Sequence, residues 1–230
     1  MKKKPIIGIT TNERPNSDNI ITSYAPKGFV QAVQRAGGIP LLLPIGSMDE
    51  AIEYVGMVDK ILLIGGQNVD PEFYHETKQA LDDDFSHRRD MFEFSIIDEA
   101  IRQRKPIFSV CRGTQLMNVA LGGNLNQAIE NHWQDAPTDY LYHKMTVKPN
   151  TKLAEIYGSE TTINSFHHQS IKELSPYLDV IAEDPKDSTI EAVASNHPEI
   201  HFLGVQWHPE HLIGSRQADQ ELFDYFVNEL

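Results

Sequence analysis

The stretch Pro106-Ile107-Phe108-Ser109-Val110-Cys111-Arg112-Gly113-Thr114-Gln115 holds the chain's single cysteine. An apolar run of strand length leads into Cys111, small residues make a turn, and a helical pattern follows from Gly113. That order describes a nucleophile elbow, a sharp strand-to-helix turn that lifts one side chain above a sheet edge. A helix N-terminus offers partial positive charge and free N–H groups there, which favours thiolate over thiol and can hold an oxyanion.

Working outward, strand-like runs recur at 6–10, 39–43, 60–64, 106–110, 178–182, 191–194 and 202–206. Helical patterns lie at 26–36, 48–55, 90–104, 113–121 and 217–228; the first has Pro26 at its start and Gly37-Gly38 at its end. Strands that are apolar throughout, alternating with helices, predict an α/β fold of three layers, with a mostly parallel central sheet covered on both faces. From about Tyr140 the strands become shorter and more alternating, so antiparallel pairs are expected there. The segment 68–89 reads as a long polar loop with the acidic run Asp82-Asp83-Asp84, and 12–24 as a second loop beside it.

The other half of the site is expected in His201-Phe202-Leu203-Gly204-Val205-Gln206-Trp207-His208-Pro209-Glu210. An apolar run ends at His208, and Glu210 follows two residues later, on the same side if the strand continues. His208 suits a general base and Glu210 the group that orients it. Cys111, His208 and Glu210 are thus the candidate catalytic residues, with the backbone N–H of Arg112 as one oxyanion donor.

The bulk numbers limit the alternatives. At 230 residues the chain is read as one domain, 1–230. A net charge of −13, from 20 basic and 33 acidic residues, argues against nucleic acid or an anionic membrane as partner. A single cysteine fits a reducing compartment, and the short apolar run after Met1-Lys2-Lys3-Lys4 is no signal peptide, so a cytoplasmic location is expected. His167 and His168 are adjacent, but no third ligand follows at metal-site spacing. With no phosphate-binding glycine fingerprint either, no cofactor and no metal are expected. Arg89, Asp90 and Glu93 read as a helix start, scaffold and not chemistry; Arg14, Lys27, Arg88 and Arg89 could recognise a carboxylate on the leaving side of a substrate, but the favoured reading of each is a solvated basic residue.

Several stretches together resemble the class I glutamine amidotransferase superfamily: Leu63-Ile64-Gly65-Gly66-Gln67-Asn68-Val69-Asp70-Pro71, Val110-Cys111-Arg112-Gly113-Thr114-Gln115, Asn164-Ser165-Phe166-His167-His168-Gln169 and Gly204-Val205-Gln206-Trp207-His208-Pro209-Glu210. Cys-Arg-Gly, His-His-Gln and the early Gly-Gly-x-x-Val-Asp-Pro are most similar to its stand-alone branch, the γ-glutamyl-γ-aminobutyrate hydrolases of the peptidase C26 group. The resemblance implies a flavodoxin-like fold and hydrolysis of a small γ-glutamyl amide through a γ-glutamyl thioester. It also implies Gly66 as the second oxyanion donor and Gln115, His167 and His168 as substrate contacts, and it is compatible with a homodimer. A glutaminase subunit feeding ammonia to a synthase, and a non-catalytic binding homologue, are the alternatives. One position departs from the family pattern: glycine is usual two residues before the cysteine, and here stands Ser109, the smallest polar substitute, expected to fit with a slight shift.

Overall fold

A computed structural model describes residues 3–79 and 84–230; Asp82 and Asp83 of the acidic run lie outside them. One nine-stranded sheet organises these residues, with β7 (Asn124–Asn126) and β10 (Ser170–Glu173) paired separately. Its parallel half comprises β4 (Ile39–Leu43), β1 (Ile6–Thr10), β5 (Lys60–Leu63), β6 (Ile107–Val110) and β13 (Phe202–Val205), in that spatial order. Beyond β13 the sheet turns antiparallel through β12 (Ile190–Ser195), β11 (Leu178–Glu183), β8 (His143–Val147) and β9 (Glu160–Ile163). The change of style anticipated near Tyr140 is this change of direction, and β8 alternates buried and exposed residues along its length.

Successive side chains on a strand point to opposite faces, so one strand feeds two cores. Leu62 and Phe108 pack with α1 (Lys27–Arg35) and α6 (Gln217–Asn228), while Ile61 and Ile107 pack with α2 (Met48–Met57), α3 (His87–Arg102) and α4 (Arg112–Ala120). All four residues of β6 are buried, as expected for a central strand covered on both sides. A short α5 (Lys152–Tyr157), not anticipated from the sequence, packs on α6. Among the described residues no helix is long and apolar enough to cross a membrane.

Two local expectations change. The α3 helix starts at His87, three residues before Asp90, because the Ser86 side chain accepts the Arg89 N–H and caps it. The segment expected as a loop at 12–24 is a hairpin of β2 (Asn12–Pro15) and β3 (Ile21–Tyr24). Asn16 closes its turn, accepting from the N–H groups of Asp18 and Ile20, and Asn19 takes a φ of 59°. Most of the hairpin is exposed, so neither face carries the apolar alternation that identifies a strand.

The first turn of α4 lies against β5 at the point where only hydrogen fits. A Cβ on Gly113 would stand 2.5 Å from the Leu63 carbonyl oxygen, a backbone atom that cannot swing away. Gly113→Ala is therefore expected to destabilise the protein by about 1–3 kcal/mol through overpacking. Urea unfolding checks this; an unchanged midpoint would contradict so close an approach.

Candidate active site

Four strand ends meet at the carboxyl edge of the parallel half, where open α/β sheets characteristically bind ligands. Just past β1 stands Asn12, past β5 Gly65 and Gly66, past β6 Cys111, and past β13 His208. They lie in or beneath a cleft of about 490 Å³ whose lining includes Asn12, Gly65, Gly66, His208 and Glu210.

Cys111 joins β6 to α4 with φ 52° and ψ −112°, a conformation that L residues seldom adopt. Its side chain is buried at the base of the cleft, with Sγ 4.0 Å from the Phe166 carbonyl oxygen. The Cys111 N–H donates to Val205 O at 2.8 Å, and the Thr114 N–H donates back to Cys111 O at 3.0 Å. Ser109 is accommodated opposite a glycine. It pairs in register with Gly204, whose missing side chain leaves room for the hydroxyl. The Ser109 Oγ lies 2.8 Å from Thr114 Oγ1, which itself donates to Val205 O at 2.8 Å.

His208 and Glu210 come together by a route other than a continued strand. The β13 strand ends at Val205, and a 3-10 turn, Pro209–His211, folds Glu210 back. His208 Nδ1 then lies 2.7 Å from Glu210 Oε1. Asn164 clamps the histidine backbone, its Oδ1 accepting the His208 N–H at 2.9 Å and its Nδ2 donating to His208 O at 3.0 Å. Burial alone would pull the imidazole down, but the Glu210 carboxylate and the Cys111 sulfur outweigh it and hold His208 well above its ordinary pKa. The neighbouring His211, stacked on His208 with ring centres 5.5 Å apart, is moved the other way, chiefly by burial.

Gly65 and Gly66 leave the space that Cys111 and His208 share. A Cβ on Gly65 would sit 2.9 Å from His208 Cε1 and 3.5 Å from Cys111 Cβ. Gly66 has φ 148°, and a Cβ there would overlap Asn12 and Arg89. The N–H groups of Gly66 and Arg112 donate to no loop, turn or side-chain acceptor among the described residues.

Arg89 is not a solvated residue. It is buried completely, donating from Nε to Glu93 at 2.9 Å, from Nη1 to Asn12, and from Nη2 to the carbonyls of Ile64 and Gly65 at 3.0 and 3.3 Å. The side chain of Arg112 reaches Glu93 and Asp90, both also buried. The Asp70 N–H donates to Asp90 Oδ2 at 3.1 Å, so this ionic cluster holds the glycine turn, its following segment and α4 together. Arginine and carboxylate four residues apart on a helix are a visible signal, but nothing in the sequence shows that the helix face is buried.

The remaining predicted residues separate. His168 lines the cleft, its ring stacked on Trp133 at 4.5 Å between centres. His167 turns away from it, toward His132, His143 and Glu191. Gln115 is buried behind the elbow and donates to Gln169 O at 2.8 Å and to Gln206 Oε1 at 3.1 Å. Sequence reasoning does not single out Asn12, Trp133 or His211, all of which line the cleft. Tyr24 and Arg14 line it too, the latter paired with Asp84.

The family model for peptidase C26 matches residues 5–210. Protein NtpR of Enterococcus hirae is 40% identical, covering 98% of this chain and 99% of its own. The γ-glutamyl-γ-aminobutyrate hydrolase PuuD of Escherichia coli is 32% identical over 97% of this chain and 92% of its own. The fold is shared with a glutamine amidotransferase from Methylobacillus flagellatus, at a TM-score of 0.57 and 15% identity, over 90% of this chain and 70% of that one. Sequence and fold together place the chain in the peptidase C26 family, within the class I glutamine amidotransferase superfamily.

Proposed function

We propose that the protein hydrolyses the amide bond of a small γ-glutamyl compound, with Cys111 as nucleophile, His208 as acid and base, and Glu210 as its orienting partner. The observation that carries this reading is the convergence of Cys111 and a Glu210-bound His208 on the space left open by Gly65. The family relationship, and the activity named for PuuD, supply the substrate class.

The thiolate of Cys111 attacks the γ-carbonyl carbon, and the electron pair moves to oxygen. The N–H groups of Gly66 and Arg112 receive that oxyanion; one such donor is worth about 3 kcal/mol at the transition state. As the tetrahedral intermediate collapses, the C–N bond breaks and His208 gives its proton to the departing amine. Water, deprotonated by His208, then attacks the thioester carbon, and glutamate leaves with the thiolate restored. His168 and Trp133 line the same cleft and are available to contact the substrate.

The first test is glutamate release from γ-glutamyl-γ-aminobutyrate, with glutamine in parallel. Cys111→Ala is expected to lower turnover by on the order of 10⁴-fold or more while leaving the unfolding midpoint near that of the parent. Full activity in that variant would rule out the mechanism. Glutamine hydrolysis that exceeds cleavage of the γ-glutamyl amide, and that requires a second protein, would favour a glutaminase subunit.

A second test uses pH. The Glu210 carboxylate and the Cys111 sulfur outweigh burial and hold His208 above its ordinary value. It therefore keeps the proton needed by the leaving amine to higher pH than a free imidazole would, and the rate is lost on the alkaline side as that proton leaves. The carboxylate of Glu210 favours the charged ring. Glu210→Gln should therefore move the alkaline limb of kcat/KM to lower pH, as well as reduce the rate. A limb that stays in place would assign it to another group.

A further inference from the structure

Behind the cleft wall, four buried side chains from distant parts of the chain point at one another. His132 precedes Trp133 in a loop, His143 opens β8, His167 lies in the Asn164–Gln169 segment, and Glu191 is the second residue of β12. Their exposures are 1%, 6%, 3% and 0%. One donor atom from each lies within 4.8 Å of all the others. His132 Nδ1, His143 Nε2 and His167 Nε2 stand 3.4, 3.7 and 3.8 Å from the same oxygen, Glu191 Oε1.

The hydrogen bonds on the far side of each ring fix which nitrogen carries the proton. His132 Nε2 faces Asp187 Oδ2 at 3.0 Å, and His143 Nδ1 faces Asp184 Oδ2 at 3.0 Å and Lys144 O at 3.1 Å. His167 Nδ1 faces Gln169 O at 3.0 Å. All these partners are acceptors, so each outer nitrogen is the N–H. In the neutral imidazole each inner nitrogen then presents a lone pair. Three lone pairs and a carboxylate then face one another in a buried space. Neither those three nitrogens nor either Glu191 oxygen has a hydrogen-bond partner. Such an arrangement is repulsive unless a positive charge sits at its centre. A single extra proton would pair one ring with Glu191 and leave the other two nitrogens facing acceptors. One divalent ion satisfies all four groups.

We propose that His132, His143, His167 and Glu191 form a structural zinc site. Three imidazoles and one carboxylate make a donor set suited to tetrahedral zinc, and four protein ligands leave no open position for catalysis. Zinc bonds of about 2 Å need donors roughly 3.3 Å apart. The three nitrogens already stand 3.4–3.8 Å from Glu191 Oε1, and the group, now within 4.8 Å throughout, would contract around the ion. The outward bonds to Asp187, Asp184 and the Gln169 carbonyl are the kind that orient metal-bound histidines. The ion would fasten two neighbours of the cleft in place. His132 adjoins Trp133 and His167 adjoins His168, the pair stacked on the cleft wall.

The test is metal content of the untagged protein, measured by mass spectrometry after gel filtration. One zinc per chain is expected. Chelator-stripped protein should rebind one equivalent of zinc with a rise in Tm, and cobalt should give the visible absorption of a tetrahedral site. Cys111→Ala must retain the metal, which separates this site from the catalytic thiol. His143→Ala and Glu191→Gln must lose it. Should either fail to fold, Asp187→Asn, at a half-exposed position, is expected to weaken zinc binding by about 10–100-fold. Stripped wild-type protein that binds no zinc and keeps its Tm would overturn the site. So would zinc retained in folded His143→Ala and Glu191→Gln alike.

Discussion

The site depends on one buried ionic cluster. Arg89, Asp90 and Glu93 on α3 meet Arg112 on α4, two positive and two negative groups with almost no exposure. Burying four charges costs several kcal/mol per ion before pairing returns it, so the cluster is a poor source of stability. Its value is positional. Burial pulls Arg89 down, with Arg112 adding to the effect, but only to about 10, so the guanidinium stays charged at neutrality. On Glu93 the two arginines overcome burial and keep its pKa low. Charged and fixed, the cluster holds the carbonyls of Ile64 and Gly65 on one side and the first residue of α4 on the other. The two N–H groups proposed to receive the oxyanion, those of Gly66 and Arg112, belong to the segments it joins.

That dependence explains what can be read from the sequence. The elbow is legible because its pieces are contiguous: strand, small-residue turn and helix follow one another within 106–121. The two-sided burial of β5 and β6 is legible for the same reason, as mostly apolar runs interrupted only by Lys60 at the start of one and Ser109 within the other. His208 and Glu210 are recognisable as partners, but strand geometry is the wrong means of joining them. The chain instead turns at Pro209, and that turn depends on contact with α1, where a Cβ on Gly28 would meet the Glu210 carbonyl. Arg89 reads wrongly because its partners Asn12, Ile64 and Gly65 lie 77, 25 and 24 residues away. A charged residue near a helix start reads as solvated unless the packing is known. The histidine cluster escapes for a similar reason: its members are scattered from position 132 to 191, with no motif spacing.

The sheet divides the work between its halves. The parallel half brings Asn12, Gly65, Cys111 and His208 to one edge because every strand there runs the same way. The antiparallel half has no such edge, yet β8 and β12 contribute His143 and Glu191 beneath the segment that carries Phe166 and His168. Phe166 O approaches the Cys111 sulfur, so the wall reaches the base of the cleft as well as its mouth.

Holding Cys111 at φ 52° requires more than a favourable turn, since such backbone positions cost on the order of 1–3 kcal/mol. The restraints come from both sides of the strand. Gly113 seats α4 on Leu63, and Cys111 N–H is fixed on Val205 O. Thr114 spans the turn, bonding Ser109 and the same Val205 carbonyl. Ser109, where the family pattern has glycine, is thus part of the restraint, because Gly204 opposite gives its hydroxyl room to reach Thr114. Every restraint drawn from β13 also bears on His208, which follows Val205 by three residues on the same chain. The thiol and the imidazole are therefore set by the register of two paired strands, Ser109 against Gly204 and Val110 against Val205. A one-residue slip would shift one group against the other, so the pairing of β6 with β13 fixes the distance on which the proposed chemistry depends.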